Sequence, residues 1–149
     1  MFIGIDLGTS SVKMILVDHE QNILATSDSP VTVQNPKDGY SEQNPEEWIN
    51  ATLECLKSLK TKKPKEFTEI ISIGISGHMH GATLIDKSGD VIRPCILWND
   101  TRSHKECEEF ENQSIDVRSI SGNITMLGFT APKINWLKNN EIESFKKIS

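Results

Sequence analysis

The run Ile5-Asp6-Leu7-Gly8-Thr9-Ser10-Ser11 constrains the fold of this chain more than any other feature. An apolar strand containing Phe2, Ile3 and Ile5 ends in a carboxylate, and a glycine with three hydroxyl residues leads into a second β-branched run over 12–17. Two such runs joined by so few polar residues pair as an antiparallel hairpin. The turn's backbone N–H groups and small hydroxyls suit phosphate oxygens. No Walker A loop is present, since that motif requires a Gly-Lys-Ser/Thr end opening a helix. Asp6, at the mouth of the turn, suits a hydrated Mg²⁺, which takes one or two carboxylates and keeps several waters. On these residues alone, a plain hairpin with a polar tip is the alternative.

The bulk of the chain narrows the class. At 149 residues it is long enough for one domain with a core. With 36% hydrophobic and 25% charged residues, it reads as globular rather than disordered. A net charge of −5 argues against a nucleic-acid or membrane-surface binder. The basic cluster Lys60, Lys62, Lys63 and Lys65 fits a solvated helix end, where cations complement the dipole. Cys55, Cys95 and Cys107 are odd in number and lack C-x-x-C spacing, which fits reduced thiols and a cytoplasmic location. No run approaches membrane-spanning length, and the N-terminal apolar run stops at Asp6.

Strands are expected at 2–5, 12–17 and 23–26, forming an antiparallel meander, followed by a polar loop over 34–43. Asn44, Pro45, Glu46 and Glu47 signal a helix start, and Trp48, Ile49, Thr52, Leu53, Cys55, Leu56 and Leu59 recur at helical spacing. That helix is expected to fray over 60–63, before Pro64. The apolar run 70–75 reads as a strand reached by a helical crossover, so it should pair in parallel. Short strands are expected at 82–85 and 94–98, with a turn over 87–90 between them. Helices are expected at 104–110, 117–120 and 130–138, the last capped by Thr130, with a partial helical pattern over 141–149.

Two further runs carry chemistry. Ser76-Gly77-His78-Met79-His80-Gly81-Ala82 follows a strand whose carboxyl end is where ligands bind in open α/β sheets. Its glycines permit sharp turns and close approach of a ligand. The His-x-His spacing could serve a metal, but catalytic zinc needs a third ligand and none is evident nearby. Solvated loop histidines are the plainer alternative. In Arg93-Pro94-Cys95-Ile96-Leu97-Trp98-Asn99-Asp100-Thr101-Arg102, an amide, a carboxylate and a guanidinium can fix hydroxyls beside an indole wall. Equally, Trp98 could pack in a core, Asp100 cap a helix and Arg102 pair with a glutamate.

Taken together, the runs at 3–10, 41–43, Gly77 with 79–83, 96–100, and Gly122-Asn123 with 128–133 resemble the N-terminal domain of the FGGY carbohydrate kinases. Within that family they are most similar to the members acting on xylulose. The Asp-x-Gly-Thr turn is shared with actin-like and Hsp70-like ATPases, whereas Met79-His80-Gly81-Ala82 and Leu97-Trp98-Asn99-Asp100 are more specific. The resemblance covers nearly the whole chain. It implies an α/β, ribonuclease H-like (actin-like ATPase) fold, with a mixed sheet of antiparallel meander plus parallel strand, flanked by helices. It also implies ATP-dependent phosphorylation of D-xylulose, with ATP and Mg²⁺ as cofactors.

By the same resemblance, Asp6 is the catalytic, metal-side carboxylate, reaching Mg²⁺ through water. Gly8, Thr9, Ser10 and Lys13 face the phosphates, and Met79, His80, Trp98, Asn99 and Asp100 contact the sugar. His78 departs from the family's usual Gln, and Thr101 from a common Gly, which leaves sugar preference less determined than kinase class. Residues 1–149 correspond to an incomplete N-terminal domain. The family's general-base Asp, most of its adenosine site and its C-terminal domain lie outside these residues, so the isolated chain is expected to be inactive. A homodimer stays open for a full-length protein. So do a kinase for another polyol or sugar (glycerol, ribulose, gluconate) and a non-catalytic sugar-binding remnant.

Overall fold

The computed structural model describes residues 1–113 and 116–149. They form two units, Met1–Val33 with Glu46–His78, and Gln34–Pro45 with Met79–Ser149.

The first unit is built on the hairpin. Strands β1 (Phe2–Leu7) and β2 (Ser11–Val17) pair antiparallel, with Asp6 opposite Lys13 and Leu7 opposite Val12. Strand β3 (Ile23–Pro30) continues the meander on the far side of β2. It runs beyond the expected residue 26 because β2 offers partners as far as Ser11, which pairs with Pro30. As an edge strand it accepts polar residues and a proline. Strand β5 (Ser72–Gly77) pairs in parallel with β1, giving the order β3-β2-β1-β5. The expected strand at 70–75 is therefore shifted by two residues. Its ends are set by the register Phe2 to Ser72 and Leu7 to Gly77, not by its own apolar content.

Alternation decides which face is buried. Ile3, Ile5, Val12, Met14 and Leu16 turn to one side, where they meet Ala51, Cys55 and Leu59 of helix α1 (Pro45–Lys62). Trp48, Leu56 and Ile70 close the margin of this core. Pro64 does not merely stop α1: it opens a separate turn of helix, α2 (Pro64–Phe67), absent from the sequence expectation. Proline is tolerated at a first helical position because its missing N–H would be unpaired there anyway.

In the second unit, part of the expected 34–43 loop is β-structure. Strand β4 (Glu42–Gln43) pairs antiparallel with β6 (Cys95–Ile96). The expected strand at 82–85 forms only single bridges, Ala82 with Ile96 and Ile85 with Val91. Its inward residues, Ala82 and Leu84, nonetheless join Ile96 and Leu137 in a core. The turn between them holds: Asp86 Oδ1 accepts from the backbone N–H of Ser88 (2.8 Å) and of Asp90 (3.0 Å). Helices α3 (His104–Glu111), α4 (Val117–Ser121), α5 (Thr130–Asn140) and α6 (Ile142–Lys147) follow. Thr130 does not cap α5. Phe129, with extended backbone, occupies the cap position, so Thr130 already lies inside the first turn. Cys55, Cys95 and Cys107 are buried free thiols.

Candidate functional site

In the first unit, the β1–β2 turn is closed by the Gly8 N–H donating to the Ser11 carbonyl at 3.0 Å. A Cβ at residue 8 would lie 2.9 Å from that oxygen, which is why glycine stands there. The Ser10 carbonyl accepts from the Val31 N–H at 3.1 Å, tying the turn to the end of β3. Asp6 is exposed at the end of β1, and Ser76 Oγ, on the neighbouring strand, donates to its Oδ1 at 2.8 Å. This contact follows from the parallel register, which sets Asp6 beside Ser76. Lys13, across from Asp6 on β2, shares with it a concavity of about 420 Å³, lined also by Gly4, Ile15, Gly74 and Ile75. Asp6, Gly8, Thr9, Ser10 and Lys13 thus gather at one end of a single hairpin.

Among the described residues no three His, Cys, Asp or Glu side chains come together to hold a metal. A lone exposed carboxylate does fit Mg²⁺, which is commonly held by one or two carboxylates together with water and substrate phosphates.

His78 belongs structurally to the first unit. Its backbone N–H donates to the Leu7 carbonyl at 3.0 Å, its Nδ1 lies 3.0 Å from the same oxygen, and its ring meets Trp48 edge-on. A carbonyl only accepts, so the bonded tautomer carries its proton on Nδ1.

In the second unit, Met79 is 63% exposed and Trp98 46%, while His80 and Asn99 are also open to solvent. His80 sits at φ +64°, a left-handed conformation uncommon outside glycine. The start of α5 supports it from two sides. The His80 ring lies 4.8 Å from that of Phe129, and Lys133 Nζ donates to the His80 carbonyl at 2.9 Å. The same ammonium donates to the Gly128 carbonyl at 2.7 Å. Gly128 in turn backs onto Trp98, so closely that a Cβ at 128 would stand 2.8 Å from the Trp98 carbonyl. The segment 128–133 therefore joins the Met79-His80 loop to the Trp98-Asn99 loop. Lys133 is fully buried, and that burial pushes its ammonium down to about 8, against the opposing pull of Asp100.

Asp100 does not present a free carboxylate. It is 1% exposed and accepts from the Ser41 N–H at 2.6 Å and from Arg102 Nε and Nη2 at 2.9 and 2.8 Å. Arg102 also pairs with Glu42 and lies 3.8 Å above the Tyr40 ring. Its bonds to Asp100 and Glu42 hold the guanidinium above the usual arginine range against its burial. Thr101 donates from its backbone N–H (2.9 Å) and from Oγ1 (3.2 Å) to the Gly39 carbonyl. His78 and Thr101 are thus both engaged with backbone oxygens.

Sequence reasoning singled out neither Ser76 nor Phe129 for a contact with a site residue, and read Lys133 only as one letter of a matching run. A signal for Lys133 was available: a cation four residues before Leu137 falls on the apolar face of α5. Ser76 could be found only once the β1–β5 register was known.

Residues 1–149 match the N-terminal domain of the FGGY family of carbohydrate kinases. The chain is 44% identical over 148 residues to the xylulose kinase of Klebsiella pneumoniae, covering 99% of this chain and 30% of that protein. Its structure superposes with a TM-score of 0.95 on a xyloylose kinase from Brucella ovis, at 47% identity over 98% of this chain and 30% of that one. For the xylulose kinase from Rhodospirillum rubrum the TM-score is 0.93 at 28% identity, again with 98% and 30% covered. The fold is α/β, of the ribonuclease H-like, actin-like ATPase class, its mixed sheet flanked by helices. The chain belongs to the FGGY family of carbohydrate kinases. It spans about 30% of the length of the relatives it matches. Among the described residues no helix is long and apolar enough to cross a membrane.

Proposed function

We propose that this chain acts as the N-terminal domain of a xylulose kinase, transferring the γ-phosphoryl group of ATP to D-xylulose to give D-xylulose 5-phosphate in the cytoplasm. The observation that carries the reading is the hairpin end, where Asp6, Lys13 and the glycine-closed turn stand together. The likeness to xylulose kinases supplies the sugar.

In this reading the attacking sugar hydroxyl forms a bond to the γ-phosphorus, the bond to the β–γ bridging oxygen breaks, and the hydroxyl proton passes to a base outside these residues. Phosphoryl transfer depends on positioning and on electrostatic stabilisation from several sides. Mg²⁺, when bound, would neutralise charge on the phosphates. Asp6 would hold it through water, oriented by the Ser76 hydroxyl on Oδ1. Thr9 and Ser10 would offer hydroxyls, and Lys13 a cation, to phosphate oxygens. Met79, His80, Trp98 and Asn99 would contact the sugar, while Asp100, tied to Arg102, would shape the loop that carries Trp98 and Asn99.

The test is an ADP-coupled assay of the full-length protein with D-xylulose, ribulose, gluconate and glycerol. The expected result is the highest kcat/KM with D-xylulose and no turnover by residues 1–149 alone. A higher kcat/KM for another of these compounds would overturn the substrate. ATP-dependent phosphorylation by the 149 residues would overturn the incomplete-domain reading.

A further inference from the structure

The fully buried Lys133 ammonium donates to two main-chain carbonyls and to no carboxylate among the described residues. Taking an ammonium out of water costs several kcal/mol unless hydrogen bonds compensate. An apolar side chain would fill the same space beside Leu137 without that cost. What the ammonium adds is geometric: it fixes the carbonyl of His80, a non-glycine residue at φ +64°, and the carbonyl of Gly128, packed against the backbone of Trp98. Backbone strain of this kind persists only where the surroundings over-determine it. At His80 the surroundings are the Phe129 ring at 4.8 Å and the Lys133 ammonium.

We infer that Lys133 is a positioning residue for the sugar loop: it locks the His80 peptide in its left-handed turn and joins it to the Trp98 loop. The inference rests on the proposed reading that His80 meets the sugar. Lys133 contacts no substrate in this arrangement; it acts through the carbonyls of His80 and Gly128. Truncating it should release the His80 peptide to negative φ and swing the imidazole away from Phe129. An arginine, which keeps charged donors on a longer stem, should retain part of the lock.

The experiment compares Lys133→Met, Lys133→Arg and His80→Ala in the full-length kinase. Apparent KM is measured separately for xylulose and ATP, and residue 80 is examined in a crystal structure of Lys133→Met. Lys133→Met is expected to raise the xylulose KM tenfold or more, leave the ATP KM within twofold, and show residue 80 at negative φ. Lys133→Arg should recover much of the xylulose KM. Should Lys133→Met fail to fold, the arginine variant carries the test, with a xylulose KM raised severalfold against an unchanged ATP KM. Equal losses for both substrates, or residue 80 still at positive φ with an unchanged xylulose KM, would overturn the inference. If His80→Ala leaves the xylulose KM unchanged while residue 80 of Lys133→Met has moved, the sugar-contact reading fails and the positioning of His80 by Lys133 stands.

Discussion

Asp100 grips Arg102 with both carboxylate oxygens, Oδ1 accepting from Nε at 2.9 Å and Oδ2 from Nη2 at 2.8 Å. Both side chains are at most 1% exposed. Removing one member of such a pair leaves a buried charge less compensated, at a cost of about 3–5 kcal/mol. Asp100→Ala is therefore expected to lower unfolding free energy by that order in a denaturant titration, whether or not sugar is present. A loss of xylulose affinity at unchanged stability would instead mark Asp100 as a direct sugar contact.

Asp6 has one oxygen engaged by Ser76 and lies exposed beside the turn. Asp6→Ala in the full-length protein should cut kcat by roughly a hundredfold or more, the scale for losing one electrostatic stabiliser. Xylulose affinity, read by calorimetry without nucleotide, should barely move. Unchanged kcat would remove Asp6 from the reaction.

His80→Ala should weaken sugar binding by about 1–3 kcal/mol, the cost of leaving a buried polar partner unpaired. Calorimetric titration with xylulose checks this, and an unchanged Kd would empty the sugar-contact assignment.

At Gly8 the limit is steric. A Cβ there would stand 2.9 Å from the Ser11 carbonyl, forcing open the turn closed by the Gly8 N–H. Gly8→Ala should cost about 1–3 kcal/mol of stability, as overpacking does. It should also raise the ATP KM more than the xylulose KM, by steady-state kinetics.

Lys133 gives stability a signature at alkaline pH. Its pKa is lowered from the ordinary 10.5 to about 8, chiefly by burial, in a site also facing Asp100, Cys95 and Arg102. Between these values the unfolded chain binds the proton and the native one does not, so stability rises with pH. Below pH 8 both states are protonated and the burial penalty is constant. Urea unfolding at pH 7.5, 9 and 10 should show a gain on the order of 2–3 kcal/mol from this group. The gain should be absent from Lys133→Met, and equal slopes in the two proteins would show that Lys133 does not titrate in this window.

Much of this was legible in the chain itself. The alternation through Ile3, Ile5, Val12, Met14 and Leu16 and the helical spacing of Cys55 and Leu59 specify a meander and its covering helix, because both patterns are local. The polar turn at Asp6-Leu7-Gly8-Thr9-Ser10 needed no tertiary knowledge either. Other features depend on partners remote in sequence. The span of β5 was decided by β1, β4 exists only because β6 lies beside it, and the 82–85 segment is held by single bridges and core packing. In the same way Asp100, free to contact a hydroxyl when read as sequence, is committed to the remote Ser41 N–H as well as to its near neighbour Arg102, and Lys133 is committed to the His80 carbonyl. Periodicity and turn chemistry are carried by neighbours a few residues apart, so the sequence alone determined the meander, its covering helix and the polar turn at Gly8. The β1–β5 register, the bond from Ser41 to Asp100 and the support of the strained turn at His80 arise from contacts 53 to 70 positions apart, and only the tertiary structure could decide them.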